Sequence, residues 1–408
     1  MISYDEAVDL VTSHLTSLPP VNVPLAEAGG KILAENIPAE FDLPPADCSA
    51  MDGYAFARSG LESSQDLREV GFVPAGSCFS GPVATGEAVR IMTGAPLPPG
   101  CDTVVPMEEV VVKDGLIQVP TPPPRGSNVR YRGEEIKTGA TVLAAGSQLY
   151  SGSIGLLAAA GRDHVSVYPA PRVAILSTGD ELVELGEKPD SGKIVNSNAH
   201  MLAARLREEG FLPELLGIAR DNRQDLESRL RRGLACDLLI TSGGISVGDH
   251  DYVQEILTQL GFEKIFWKVA IKPGKPILFG RIGTLPVFGL PGNPAASAAT
   301  YELLVRPALR ILAGYQDPLA PRLRVRLLEA VKGGGQRQQF IWGQLVIDNG
   351  ELCLLPSQIR SSGQNRSLHG AQALLPVAIG SPDLAAGSHA EVILLRLPPG
   401  PLLQSAPC

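Results

Sequence analysis

The residues of this chain with the most chemistry to offer sit in short polar segments, each of which breaks off an apolar run. STGDEL (Ser177 to Leu182) follows Val173 to Leu176, TSGG (Thr241 to Gly244) follows Leu238 to Ile240, and GLPGNP (Gly289 to Pro294) follows Val287 and Phe288. Gly243 and Gly244 allow a tight turn and bring backbone N–H groups close to a ligand, the arrangement that suits an anion or a nucleotide. Asp180 and Glu181 offer hard oxygen donors of the kind magnesium takes, since that ion binds phosphates through only one or two carboxylates. Lys272 and Lys275 flank Pro273-Gly274, and Lys268 precedes them by four residues. A loop stiffened by proline holds two ammonium groups towards an oxyanion at low entropic cost.

These segments need a scaffold that gathers them, and the pattern from Pro171 to about Gly314 supplies one. Short β runs alternate with amphipathic helices: strands at Val173 to Leu176, Glu214 to Ile218, Leu238 to Ile240, Phe266 to Ile271 and Val287 to Leu290. Helices are read at Ala199 to Glu209, Arg223 to Leu234 and Tyr252 to Leu260, the last capped by Asp249 or Asp251. A long helix opens at Asn293, as cap, and Pro294, in the first turn, and ends near Leu312. Alternation of this kind implies a parallel sheet covered on both faces, with ligands outside the carboxyl ends of the strands. All three polar segments would sit there.

Other parts of the chain read differently. Ser3 to Leu15 is a helix with a capping box at Ser3 and Glu6, and Ser151 to Ala160 is a second helix. Pro44-Pro45 force an extended path before Asp52-Gly53 on a loop. Gly71 to Val119, rich in Val, Gly and Pro, reads as a small β domain with a turn at Lys113-Asp114-Gly115, and Thr93 lies on one of its connections. Arg130, Arg132, Glu134 and Glu135 are concentrated within NVRYRGEEI, Asn128 to Ile136. From Arg322 to Leu397 period-two alternation with an Asp348-Asn349-Gly350 turn reads as a separate β domain.

Composition narrows the function classes. A chain of 408 residues exceeds what one core serves, so two to four domains are expected. Its net charge of −8 argues against a nucleic-acid partner, which needs clustered Lys and Arg. Six scattered cysteines without a C-x-x-C pair support neither a zinc site nor a disulfide framework. No apolar run approaches membrane-spanning length, and a cytoplasmic location is expected. The P-loop and the complete G-x-G-x-x-G are absent. Gly244-Ile245-Ser246-Val247-Gly248 fits the G-x-S-x-G nucleophile elbow, yet an elbow serine follows its strand directly, whereas TSGG intervenes here.

Eight segments occur in order: MDGYA, IMTGAPLP, VRYRGEEI, STGDEL, NSNAHML, TSGGISVGDHDY, IKPGKP and GLPGNP. This set closely resembles the molybdopterin molybdenumtransferases, the MoeA and gephyrin E-domain family, from Met1 to about Leu312. The resemblance implies an enzyme that inserts molybdate into adenylylated molybdopterin and releases AMP with Mg2+ present. It implies a multidomain α/β chain: a doubly wound αβα molybdopterin-binding domain (171–318), a mixed N-terminal domain (1–45 and 138–170), an inserted β-rich domain (46–137) and a C-terminal β-barrel-like domain (319–408). It further implies an elongated homodimer, with the molybdopterin adenylyltransferase and acceptor molybdoenzymes as partners.

Residue by residue, the resemblance carries over Asp52, Thr93, Glu135, Glu181, Asp221, Asp251, Lys268, Lys272, Pro291 and Pro294. The catalytic set is then Asp52, Thr93, Glu181, Lys272 and Lys268. Ser242, Gly243, Gly244, Ser246, Asp221, Asp251, Lys275, Pro291, Gly292, Asn293 and Pro294 would bind the pterin and phosphates, and Glu181, Asp180 and Glu135 the metal. The chain departs from its relatives in three places. Glu135 stands where they usually have Asp, with Tyr131 interrupting the preceding arginines; Trp342 stands where some carry Arg; and their glycine-serine motif appears only loosely, as Ser361-Ser362-Gly363. Two other readings use the same residues: a nucleotide or pyrophosphate hydrolase needing no molybdate, and a gephyrin-like dimeric scaffold.

Overall fold

The structure, a computed structural model, describes residues 1–61, 66–220, 222–244, 252–359 and 361–397. Contacts divide the chain into two compact units, one comprising Met1–Val21, Gly30–Ile32 and everything from Tyr168 onwards, the other Asn22–Gly29 and Leu33–Val167.

The first unit is built on β1 (Arg172–Thr178), α1 (Ser197–Glu208), β2 (Leu212–Ala219), α2 (Arg223–Gly233), β3 (Leu238–Ser242), α3 (Tyr252–Gln259), β4 (Phe262–Trp267), β5 (Leu278–Ile282), β6 (Leu285–Leu290) and α4 (Pro294–Thr300). The strands lie in the order β2-β1-β3-β6-β5-β4. Their register explains the two cores. Ile175 pairs Ile240, Ile240 pairs Phe288, and Phe288 pairs Phe279, so one pleat row faces α1 and α4. The alternate residues Ala174, Leu239 and Val287 face Leu226 and Leu230 of α2 and Ile256 of α3. The connection leaving β1 runs through α1 on one face to β2, and the connection leaving β3 runs through α3 on the other face to β4 at the opposite edge. The carboxyl ends of β1 and β3 therefore form the switch point where doubly wound sheets bind ligands.

One strand departs from the all-parallel expectation. β5 pairs antiparallel with both β4 and β6. The span between β4 and β5 holds no helix, and such a connection joins antiparallel rather than parallel neighbours. The strand expected at Phe266 to Ile271 is instead β4, ending at Trp267, followed by a two-residue strand, Ile271–Lys272. The long helix after Asn293 contains a π-helical turn at Tyr301–Val305 before continuing through Arg306–Leu312. Glu302, in that turn, meets the buried guanidinium of Arg205 from α1 at 2.5 Å, and Arg205 also donates to the Leu395 carbonyl at 3.0 Å. A buried charge is tolerated when it is paired and hydrogen-bonded in this way.

The same unit holds a five-stranded barrel. Gln338–Asp348 pairs on one edge with Glu351–Pro356 and on the other with Ala373–Val377, and Arg322–Leu327 with His389–Leu394 completes the ring. Asn349 (φ 50°) and Gly350 (φ 82°) turn its longest hairpin as the sequence predicts. In the second unit six strands form one sheet in the order Thr103–Pro106, Gly53–Phe56, Glu87–Ile91, Asp66–Val73, Leu116–Gln118, Val111–Lys113. Apolar residues fill both of its faces, Phe56, Leu67 and Ile117 on one and Val73, Val89 and Val104 on the other.

Candidate functional site

At the switch point the three polar segments meet. Ser177 pairs Ser242 across β1 and β3, and the Gly243 N–H donates to the Leu290 carbonyl at 3.1 Å. Gly243 (φ 91°) and Gly244 (φ 64°) are both left-handed. A side chain at either would also meet Thr178: a Cβ on Gly243 would lie 2.6 Å from its carbonyl oxygen, and one on Gly244 2.6 Å from its Oγ1. The glycines are therefore required by conformation and by space.

Two asparagines sew the loops together. Ser177 Oγ donates to Asn196 Oδ1 at 2.9 Å, while Asn198 Nδ2 donates to Ser242 Oγ at 3.1 Å and to the Gly292 carbonyl at 2.8 Å. Both sit at the start of α1, where Asn196 precedes the first helical residue. Buried and without a hydrogen-bond partner among the described residues are Thr178 Oγ1 and Asn198 Oδ1. Unmet groups in a ring of backbone turns suit a polar ligand. The N-S-N spacing was visible in the sequence, but nothing in it indicated that Asn196 and Asn198 would brace the loops.

Asn293 occupies the cap position of α4 and Pro294 its first turn, as read from the sequence, but the Asn293 side chain does not cap the helix. Its Nδ2 donates to Ser362 Oγ at 3.2 Å, and the Ser362 carbonyl takes the Ala295 N–H at 3.0 Å. Pro291 is buried and Gly292 exposed in the same loop. Asp180 and Glu181 lie exposed beyond β1, and Lys193 Nζ donates to the Asp180 carbonyl. The Glu181 carboxylate forms no ion pair with a described residue. Asp221, Ser246 and Asp251, with the helix cap expected at Asp249 or Asp251, lie outside the described residues.

The lysine segment is fixed on both sides. Val269 bridges Ile2, and Ile271 and Lys272 pair with Gln338 and Gln339 of the barrel. Arg337 Nη1 donates to the Ile271 carbonyl at 3.1 Å. Lys272 is exposed and lines a cleft with Pro273, Gln339, Trp342, Ser361 and Ser362. Lys275 is likewise exposed, whereas Lys268 is half-buried with its ammonium 3.6 Å from the centre of the Trp267 ring. None of the three lysines is in a salt bridge with a described residue. Trp342 is buried, and its indole N–H has no partner among the described residues. The barrel thus supplies cleft wall but no cation at that position.

In the second unit Asp52 and Thr93 come together. Thr93 donates its N–H and its Oγ1 to Asp52 Oδ1, each at 2.7 Å, and these bonds, the backbone one foremost, hold the carboxyl below its ordinary range. Glu135 is exposed, with Oε2 3.3 Å from Arg130, which also binds Glu134 at 2.9 Å. A carboxylate already facing a guanidinium is a weaker metal donor than Glu181. Among the described residues no three His, Cys, Asp or Glu gather as a metal cage. No helix among them is long and apolar enough to cross a membrane.

Three family models match along the chain: the MoeA N-terminal region (domains I and II) over residues 2–161, a probable molybdopterin-binding domain over 174–311 and the MoeA C-terminal region (domain IV) over 324–395. The molybdopterin molybdenumtransferase of Nostoc sp. is 37% identical over 387 residues, spanning 92% of this chain and 88% of that one. That of Staphylococcus aureus is 32% identical, spanning 96% and 95%. The crystal structure of the molybdopterin biosynthesis MoeA protein from Pyrococcus horikoshii superposes with a TM-score of 0.82 at 29% identity, over 97% of this chain and all of that one. With this similarity running through both units and the barrel, the chain belongs to the MoeA family of molybdopterin molybdenumtransferases, enzymes of molybdenum cofactor biosynthesis.

Proposed function

We propose that this protein inserts molybdate into adenylylated molybdopterin and releases AMP, in a magnesium-dependent reaction. The observation that carries the reading is the meeting of the β1, β3 and β6 loops at the switch point of a sheet whose neighbouring loop carries three lysines without salt-bridge partners among the described residues. The first feature suits a pterin and its phosphates; the second suits a small oxyanion. The curated relatives named above carry the corresponding enzyme name.

In this reading the Gly243-Gly244 turn, through the Gly244 N–H, and the Pro291 to Pro294 loop hold the pterin and phosphates, and Asn198 keeps those two loops in register. Lys272 and Lys275 hold molybdate by charge-assisted hydrogen bonds, and Lys268 adds positive potential. Asp52 remains ionised because Thr93 donates to it twice. The donors available to magnesium are exposed carboxylates, Glu181 first and Asp180 beside it, which matches an ion that uses one or two carboxylates plus substrate phosphates. Magnesium, when bound, neutralises pyrophosphate charge and so eases the departure of AMP. The active form is a homodimer, its substrates are small molecules, and the molybdopterin adenylyltransferase and acceptor molybdoenzymes are its partners.

Incubation with adenylylated molybdopterin, magnesium and molybdate, with AMP followed over time, tests this reading. AMP release that needs both molybdate and magnesium supports it. Release at the same rate without molybdate would make the protein a pyrophosphate hydrolase instead.

A further inference from the structure

Consecutive residues of an extended strand point to opposite faces, so the side chain after a strand tryptophan should leave the ring behind. Lys268 does the reverse. It follows Trp267, the last residue of β4, with φ at 69°, and this left-handed turn swings its ammonium back to 3.6 Å from the centre of the preceding ring. A lysine rarely adopts that conformation. Here the backbone holds it there: Lys268 N–H donates to the Ile277 carbonyl at 3.0 Å, and its own carbonyl accepts from Ile2 N–H at 3.3 Å. The Trp267 indole N–H is buried without a partner among the described residues, and the ring is placed by packing.

We propose that Trp267 is a positioning residue that holds the Lys268 ammonium as an uncancelled positive charge for the anionic substrate. The inference rests on the reading above, in which Lys268 serves the oxyanion. A carboxylate in the place of the ring would fix the ammonium equally well, but it would neutralise the field and compete with an incoming anion. An aromatic face attracts a cation through its quadrupole while carrying no net charge. The ring therefore orders the side chain and leaves its charge available, and no salt bridge to a described residue offsets it.

The test is a double-mutant cycle on the full-length protein, reading AMP release against molybdate concentration. Trp267→Leu should raise half-saturation by molybdate roughly two- to thirty-fold, the span of a cation–π contact from exposed to desolvated. Trp267→Phe, which keeps a ring, should recover most of that loss. In a Lys268→Met background Trp267→Leu should add nothing, because the partner it acts through is gone. An independent readout is the NMR signal of the Lys268 ε-protons, which the ring current shifts upfield and which Trp267→Leu should return to the ordinary lysine position. Equal cost of Trp267→Leu in both backgrounds would overturn the inference while leaving the proposed function intact. If Lys268→Met alone changed neither turnover nor half-saturation, Lys268 would leave the site, and the inference would fall with that part of the reading.

Discussion

Thr93 donates two hydrogen bonds, from its backbone N–H and its hydroxyl, to the same oxygen of Asp52, each 2.7 Å long. The carboxylate is favoured over the acid, so the pKa is depressed in the folded protein. A depressed carboxyl contributes stability that is present above its unfolded value, about 4, and lost as pH falls through the folded value. Thr93→Val removes only the hydroxyl bond. The acid limb of the AMP-release rate profile should then move to higher pH, with the rate at neutral pH less affected. Superimposable acid limbs for wild type and variant would mean that Asp52 does not titrate in the reaction.

Asn198 should be worth more to the site than its size suggests, since one side-chain amide braces both the β3 and the β6 loops. Asn198→Ala leaves buried acceptors unpaired and should cost about 1–3 kcal/mol in urea unfolding. Asn198→Asp keeps the shape but faces the Gly292 carbonyl with an acceptor. It should therefore weaken binding of the anionic substrate beyond its effect on stability. If both variants unfold and turn over like wild type, the two loops are held by the sheet alone.

Glu181→Ala should unfold like wild type, because an exposed carboxylate with no ion pair to a described residue contributes little stability. Its AMP release should fall most at limiting magnesium and recover in part as magnesium is raised. Turnover unchanged at limiting magnesium would remove Glu181 from the metal site.

The homodimer is checked by sedimentation. A closed two-fold assembly is the commonest oligomer, and the reading requires it at micromolar concentration. A monomer there with full activity would show that one chain completes the site.

Much of this architecture was legible in the sequence, for identifiable reasons. Buried strands such as Leu238–Ser242 open on unbroken apolar runs, and Asp348-Asn349-Gly350 supplies the left-handed residues its hairpin needs. What the sequence hid depends on pairing across the sheet or on a single backbone angle. β5 follows a loop dense in proline and glycine, so its first residues read as loop rather than strand. The left-handed turn at Lys268, which brings its ammonium onto Trp267, has no sequence signature, because only Gly and, less often, Asn or Asp announce that conformation. The place of Ser362 beside Asn293 joins residues 69 apart in the chain. Contacts so distant have no local pattern.

The central claim is that the lysine segment holds molybdate, and Lys272 tests it most directly. Molybdate is small and doubly charged, so its contacts are chiefly charge-assisted hydrogen bonds, whereas the adenylylated pterin also gains stacking and backbone contacts. Lys272→Ala should remove one such bond, worth roughly 1.5–3 kcal/mol, and raise half-saturation by molybdate about tenfold or more, with the pterin substrate saturating. Lys272→Arg should recover part of the loss, since the charge returns with altered geometry. A molybdate dependence of AMP release that is unaltered in Lys272→Ala would contradict the account and shift the oxyanion to Lys275 or Lys268.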